Sequence, residues 1–133
     1  MVRTVLIDDV ASIRTTLRRF LDASPGIDVV GEADNATEGS KLVASTHPDL
    51  VLLDLNLGDG VSGQELVPQF REDFPSMRIV VVSAYADQII QREVLGLGAD
   101  LFVPKQDIAQ VVRAVRDIAA SMGVASTNDA NAG

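Results

Sequence analysis

The stretch Leu50-Val51-Leu52-Leu53-Asp54 decides the fold, because four consecutive apolar residues run directly into a carboxylate. An unbroken apolar run of this length is typical of a parallel strand that is buried on both faces of a sheet. Three similar runs occur elsewhere in the chain, and each of them also ends at polar side chains. They are Thr4–Ile7 before Asp8 and Asp9, Ile79–Val82 before Ser83, and Leu101–Pro104 before Lys105.

Strand patterns and helix patterns alternate five times along the chain. This alternation predicts an α/β fold, with a parallel five-stranded sheet covered by helices on both faces. The predicted strands span 3–7, 27–32, 49–53, 78–83 and 101–104, and the predicted helices span roughly 10–23, 36–46, 62–74, 86–97 and 107–121. The residues after Met122 are small and polar without periodicity. We therefore expect a domain over 1–121 and a disordered tail or linker stub over 122–133.

Composition excludes several classes of function. The chain has 133 residues, of which 47% are hydrophobic, so it can form one buried core. Its net charge of −8 and its two lysines argue against nucleic-acid binding by this chain alone. The basic group Arg14, Arg18 and Arg19 is expected to be a solvated helix face. No disulfide is possible without cysteine, and no apolar run is long enough for a membrane span, so we expect a cytoplasmic protein.

The polar residues that follow the four apolar runs are predicted to converge. Ligands bind at the carboxyl ends of parallel strands in open α/β sheets, and these ends lie along one edge. Taken singly, Asp8 and Asp9 could be turn residues, Ser83 a helix cap and Lys105 a surface lysine. Their occurrence at the same end of successive strands, together with Asp54, instead favours a site that holds Mg²⁺ and a phosphoryl group.

Four motifs carry a resemblance to a known family. They are Val-Leu-Ile-Asp-Asp at 5–9, Asp-Leu-Val-Leu-Leu-Asp-Leu-Asn-Leu at 49–57, Val-Val-Val-Ser-Ala at 80–84 and Gly-Ala-Asp-Leu-Phe-Val-Pro-Lys at 98–105. With them the chain resembles the receiver domain of bacterial two-component response regulators, the CheY-like superfamily, from residue 2 to 121. The resemblance implies a flavodoxin-like doubly wound fold with strand order 2-1-3-4-5. It also implies phosphorylation of one aspartate by a sensor histidine kinase or a histidine phosphotransfer protein.

The resemblance assigns the acidic residues to two roles. Asp54 corresponds to the phosphoacceptor, whose carboxylate attacks the phosphoryl group of a phosphohistidine and forms an acyl phosphate. Asp9, Asp54 and the backbone carbonyl of Asn56 correspond to direct Mg²⁺ ligands, while Asp8 acts through metal-bound water. A hard cation is needed because three carboxylates repel one another and the incoming phosphate.

The remaining site residues follow from the same resemblance. Lys105 and the Ser83 hydroxyl are expected to bind phosphoryl oxygens. Phe102 is expected to rotate as Ser83 moves, with plain strand core as the alternative. Ala84 is expected to leave the site accessible, and Tyr85, with Asn56, to set the lifetime of the acyl phosphate.

Partners are also expected from the resemblance. Ile13 lies on the helix face that meets the kinase in this family, with core packing as the alternative. A phosphorylation-dependent homodimer through the fourth helix, fifth strand and fifth helix is a further possibility, and the output target is not encoded here. The motif around Lys105 is most similar to receivers attached to helix-turn-helix DNA-binding domains, so the chain is either a stand-alone receiver or a piece of such a regulator.

Three departures from the family pattern and two competing functions complete the sequence prediction. Gln106 follows Lys105 where many receivers have a cis proline, Gly58 stands where proline is frequent, and Gly63 falls one residue late. We expect a signalling module that catalyses only its own phosphorylation and dephosphorylation. The alternatives are a Mg²⁺-dependent phosphatase with an aspartyl-phosphate intermediate and a flavodoxin-like binding module.

Overall fold

Five strands alternate with five helices in a computed structural model that describes residues 1–57, 63–84 and 87–132, with side chains to Met122. The strands are β1 Val2–Ile7, β2 Ile27–Ala33, β3 Leu50–Asp54, β4 Arg78–Ser83 and β5 Leu101–Pro104. The helices are α1 Ala11–Asp22, α2 Ala36–Thr46, α3 Gly63–Asp73, α4 Gln88–Leu97 and α5 Ile108–Ala132. The predicted alternation is confirmed, and most predicted ends agree to within two residues.

All strand pairs of the sheet are parallel, and their order is β2-β1-β3-β4-β5. This order confirms the doubly wound fold. From β1 the chain continues to β2 on one side of β1, and from β2 it crosses to β3 on the other side of β1. The order in which strands are added to the sheet therefore reverses between β1 and β3. A crevice therefore forms at the carboxyl ends of β1 and β3, where ligands bind in such sheets.

Two apolar cores lie on opposite faces of the sheet. On one face α1 and α5 contribute Leu17, Leu21, Val111 and Val115. On the other face α2, α3 and α4 contribute Val43, Leu66, Val67, Phe70 and Val94. All five residues of β3 are buried, because the central strand is covered by both helix layers. This explains why its sequence is an unbroken apolar run rather than an alternating one.

The last helix differs from the sequence prediction. Its backbone continues to Ala132, whereas the pattern predicted an end near 121 and a tail or linker beyond it. The Asp107 carboxylate accepts the Gln110 N–H at 3.3 Å at the start of this helix. The division into a domain at 1–121 and a linker at 122–133 stays a prediction. Within the described part of the chain, no helix combines the length and apolar character that crossing a bilayer requires.

Candidate functional site

Three aspartates meet at the carboxyl edge of the sheet, as the strand ends predicted. Asp8 and Asp9 follow β1, and Asp54 is the last residue of β3. One carboxylate oxygen from each lies within 4.8 Å of the other two. Asp54 is 1% exposed and Asp8 is 4% exposed, while Asp9 faces solvent. The arrangement is a concave acidic cluster with one open side.

Lys105 neutralises part of this acidic cluster. Its ammonium Nζ lies 2.7 Å from Asp54 Oδ2 and 3.0 Å from Asp8 Oδ2. Lys105 follows β5, which is two strands away from β3, so the contact joins strands that are not neighbours in the sheet. One ammonium among three carboxylates leaves the cluster with an excess of negative charge, which favours a further cation at the open side.

Backbone groups fix the orientation of the two buried carboxylates. Asp8 Oδ1 accepts the N–H of Val10 at 2.8 Å, and Asp54 Oδ1 accepts the N–H of Asn56 at 3.0 Å. Each carboxylate therefore has one oxygen bound to the turn that follows its strand. The Asp54 oxygen Oδ2 and both Asp8 oxygens also face Lys105. These local turns keep the oxygens close together without a ligand.

Gly63 lies against the backbone at the end of β3, next to Asp54. Its N–H donates to the carbonyl of Leu55 at 3.1 Å, so the start of α3 lies directly against the end of β3. A Cβ at Gly63 would lie only 2.2 Å from the Asp54 carbonyl oxygen and 2.8 Å from Leu55 Cα. No side chain fits there, so the glycine at this position is required by the close approach of two backbones.

The ionisable pair at the centre of the site has perturbed pKa values. Burial raises the pKa of the Asp54 carboxyl above its ordinary value of 3.8, although hydrogen bonds from Lys105 and the Asn56 N–H oppose the shift. Burial acts to lower the pKa of Lys105, but its hydrogen bonds to Asp54 and Asp8 outweigh burial and raise that pKa above 10.5. Lys105 therefore stays charged, and the Asp54 carboxylate depends on nearby positive charge for its ionised form.

The donor set fits Mg²⁺. The side chains that could bind a metal here are the carboxylates of Asp8, Asp9 and Asp54, whose oxygens are the hard ligands that Mg²⁺ prefers, and the chain has no cysteine to offer a softer site. Asp9, Asp54 and Asp8 are the residues that would hold the ion. Asn56 is exposed two residues after Asp54, which is consistent with the predicted use of its carbonyl.

The other predicted site residues lie at the carboxyl end of β4 and in β5. Ser83 is buried at 2% exposure, and its carbonyl accepts the N–H of Lys105 at 2.8 Å. Ala84 is exposed, as its predicted role in access requires. Phe102 is 8% exposed and packs in the apolar core that includes Val94 of α4. Tyr85 and the glycine at 58 lie outside the described residues.

The first helix has apolar side chains both at its covered face and at the rim of that face. Ile13 is half-buried and packs against the core, and its contact with a kinase stays a prediction. Val10 is 41% exposed and Phe20 is 47% exposed. Helical spacing identifies the apolar face of a helix, but it cannot distinguish the rim of that face from its centre.

Two features near the site were not found from the sequence. Arg14 and Arg18 form ion pairs with Glu32 of β2 at 3.0 and 2.8 Å, instead of a simply solvated face. Arg14 also donates to the Asp8 carbonyl at 2.6 Å. The second feature is a hydrogen bond from the Gln106 side chain to the Ala84 carbonyl. Gln106 had stood out only as a departure from the family pattern, which gave no indication of a partner.

Comparison with known families gives one match over most of the chain. The model described as the response regulator receiver domain matches residues 4–116. Among curated relatives, the transcriptional regulatory protein LiaR of Bacillus subtilis is 35% identical over 124 residues, covering 92% of this chain and 57% of LiaR. The nitrate/nitrite response regulator NarL of Escherichia coli is 41% identical over 103 residues, covering 76% of this chain and 46% of NarL. The chain thus spans about half the length of these relatives.

Solved structures give the same picture. A LuxR-family two-component response regulator from Aurantimonas superposes with a TM-score of 0.83 at 32% identity, covering 91% of this chain and 86% of that one. The response regulator domain of Thermotoga maritima CheB superposes with a TM-score of 0.82 at 24% identity, covering 91% and 95%. The second similarity concerns the fold alone, and the first extends to sequence.

Proposed function

Because the chain belongs to the response regulator receiver domain family, we propose that Asp54 accepts a phosphoryl group in a His-Asp two-component phosphorelay. The observation that carries the proposal is the buried Asp54 carboxylate beside Asp8, Asp9 and Lys105 at the open edge of the sheet. Response regulators of this kind act with histidine kinases and with output domains. The donor here is a sensor histidine kinase or a histidine phosphotransfer protein.

The chemical step is a phosphoryl transfer from nitrogen to oxygen. An Asp54 carboxylate oxygen attacks phosphorus in line with the histidine nitrogen; the new O–P bond forms as the N–P bond breaks, and the bonding pair stays on the imidazole. Mg²⁺, held by Asp9, Asp54 and the Asn56 carbonyl with Asp8 acting through water, would neutralise charge on the phosphoryl oxygens. Burial keeps the nucleophile fixed and excludes competing water from one side.

Lys105 and Ser83 act on the transferred group. The ammonium already lies 2.7 Å from Asp54, so a small displacement brings it to a phosphoryl oxygen. The Ser83 hydroxyl donates to another oxygen. Ser83 then moves together with Phe102, whose burial against α4 is consistent with a population shift between two packings of α4, β4 and β5.

The surroundings of the site set access and partners. Exposed Ala84 leaves an entry for the donor, while Asn56 and Tyr85 control the lifetime of the acyl phosphate. The kinase docks on α1 near Ile13, where Val10 and Phe20 offer exposed apolar surface. Phosphorylation favours a homodimer through α4, β5 and α5. These steps require a cytoplasmic location.

The chain is proposed to be the receiver part of a signalling protein, with residues 1–121 as the domain and 122–133 as a connecting segment. The match covers only 57% of the transcriptional regulatory protein LiaR, which supports an attached DNA-binding output. This chain alone is acidic and is proposed to bind no nucleic acid. Family membership does not favour the alternative of a phosphatase with an external substrate.

The test is phosphorylation by a small phosphodonor such as acetyl phosphate in the presence of Mg²⁺. Intact mass spectrometry should find one added phosphoryl group on the wild-type chain. The Asp54→Asn variant should gain none, since the amide lacks a nucleophilic oxygen. Omitting Mg²⁺ should suppress the reaction. Labelling of the Asp54→Asn variant, or equal labelling without Mg²⁺, would contradict the proposal.

A further inference from the structure

The side chain of Gln106 connects the two loops that carry the phosphoryl-binding residues. β4 and β5 are paired up to Ser83 and Pro104, and the Lys105 N–H adds one more backbone bond to the Ser83 carbonyl at 2.8 Å. The next carbonyl, that of Ala84, accepts a hydrogen bond from the Gln106 amide. A side chain thus continues the strand pairing by one step after the backbone bonds end.

This bond lies next to the groups that are proposed to move. Ser83 precedes the accepting carbonyl by one residue, and Lys105 precedes the donor by one residue. A shift of Ser83 toward a phosphoryl group on Asp54 would move the Ala84 backbone with it, because the rigid peptide plane between them fixes the Ala84 Cα, to which the accepting carbonyl is bonded. The Gln106 bond therefore belongs to the conformation in which Asp54 carries no phosphoryl group.

We propose that the Gln106 amide is a latch that holds the Ser83–Ala84 segment in the unphosphorylated position and so limits how readily Asp54 is phosphorylated. The inference rests on the proposed function of Asp54 and adds a control element specific to this chain. Gln106 is a positioning residue, since it acts through the Ala84 carbonyl and touches no reacting atom. Where a proline follows the lysine, a donor at this position is impossible, because the proline side chain has no N–H.

The expected effect is modest, because the bond is formed by two exposed residues. Losing one neutral hydrogen bond of this kind corresponds to about a two- to fivefold shift between two conformations. If phosphorylation favours the conformation without the Gln106 hydrogen bond, it becomes more favourable by the same factor when that bond is lost. Removing the Gln106 amide should therefore accelerate phosphorylation of Asp54 by about two- to fivefold.

The experiment compares phosphorylation rates at a limiting concentration of acetyl phosphate with Mg²⁺, followed by intact mass. Gln106→Met keeps the length of the side chain without a donor, and Gln106→Lys restores a donor. The matched controls are Gln110→Met and Gln110→Lys, which change an exposed glutamine in the first turn of α5. The amide chemical shift of Ala84 in the unphosphorylated proteins gives a second readout that is independent of the chemistry.

The latch predicts faster phosphorylation and a shifted Ala84 resonance in Gln106→Met, return toward wild type in Gln106→Lys, and little change in both Gln110 variants. A Gln106→Met rate equal to or below that of wild type overturns the latch but leaves the role of Asp54 intact. The same is true if Gln106→Lys behaves like Gln106→Met. Failure of the wild-type chain to gain a phosphoryl mass, or labelling of Asp54→Asn, would instead overturn the proposed function.

Discussion

The two edges of the sheet both hold charged side chains, but these bind different kinds of partner. At the carboxyl edge, the Lys105 ammonium contacts the carboxylates of Asp54 and Asp8. At the amino edge, Arg71 donates at 2.8 to 3.0 Å to the carbonyls of Gly98, Pro75 and Met77. It also forms a 2.7 Å ion pair with Asp100.

The difference in partners distinguishes a functional site at the carboxyl edge from a structural contact at the amino edge. Backbone carbonyls carry no charge that another cation could neutralise, so a guanidinium that satisfies several of them cannot leave without depriving partly buried acceptors of their donor. Carboxylates can exchange one cation for another. We infer that Lys105 belongs to an exchangeable charge cluster, whereas Arg71 joins the end of α3 to the loop before β5.

The largest expected effect comes from Gly63, which lies against the carboxyl edge. Gly63→Ala should lower the free energy of unfolding by about 3 kcal/mol or more, because the new Cβ meets backbone that cannot move aside. Mg²⁺ affinity should fall as well, since the end of β3 must shift. The matched control is Gly96→Ala in α4, where nothing lies within 4 Å of the added Cβ.

Gly96→Ala should raise the free energy of unfolding by about 0.5–1 kcal/mol, because alanine favours helix. Denaturant unfolding and Mg²⁺ titration measure both variants. Equal stability of the two would contradict the close packing at the carboxyl edge.

Arg71 gives the next largest effect, on stability alone. Arg71→Ala should cost about 2–3 kcal/mol of unfolding free energy, because the carbonyls of Gly98 and Met77 lose their donor. Mg²⁺ affinity should stay unchanged. The control is Arg78→Ala, since Arg78 lies 3.6 Å from the same Asp100 and is 49% exposed; its cost should stay below about 1 kcal/mol. A loss of Mg²⁺ binding in Arg71→Ala would contradict the separation of the edges.

Substitution of Lys105 should change Mg²⁺ affinity and leave the fold intact, which is the opposite of the result expected for Arg71. Lys105→Ala should keep the fold and bind Mg²⁺ roughly tenfold more tightly, because the ammonium no longer competes for the carboxylates of Asp54 and Asp8. Isothermal calorimetry on the unphosphorylated protein measures the change. Lys41→Ala is the matched control, since Lys41 pairs with Glu38 at the surface. Unchanged or weaker Mg²⁺ binding in Lys105→Ala would show that the ammonium is not exchangeable.

Substitution of Glu32, which pairs with Arg14 and Arg18, should have the smallest effect on stability. Its hydrogen bond from Arg18, joined by Arg14, outweighs burial and lowers the pKa of its carboxyl below 4.5. The depressed pKa means that the ionised form stabilises the fold, so this contribution is present above 4.5 and is lost as the pH falls through the lower folded value. Glu32→Gln should cost about 0.5–1 kcal/mol at neutral pH.

The difference between wild type and Glu32→Gln should shrink as the pH is lowered below 4.5. Denaturant unfolding across the acidic range measures this trend. A difference that stays constant with pH would mean that the Glu32 charge contributes nothing. Asp22→Asn is the control, because Asp22 lies 3.7 Å from Arg18 and is about half exposed.

The sequence alone predicted the fold and the meeting of Asp8, Asp9, Asp54 and Lys105. Apolar runs define the strands, and parallel strands carry whatever follows them to one edge of the sheet. The aspartate cluster and its contact with Lys105 therefore required no knowledge of side-chain packing. The strand order came from the resemblance to the receiver family.

Only the tertiary structure decided the contacts between residues far apart in sequence. Arg71 binds Gly98 across 27 residues, and Gln106 binds Ala84 across 22. Neither glutamine nor arginine has a pattern that identifies a backbone carbonyl as its partner, because every residue offers the same acceptor. The exposure of Phe20 likewise depends on the tertiary structure. Helical spacing defines a face, but the neighbouring helix determines how much of that face is covered.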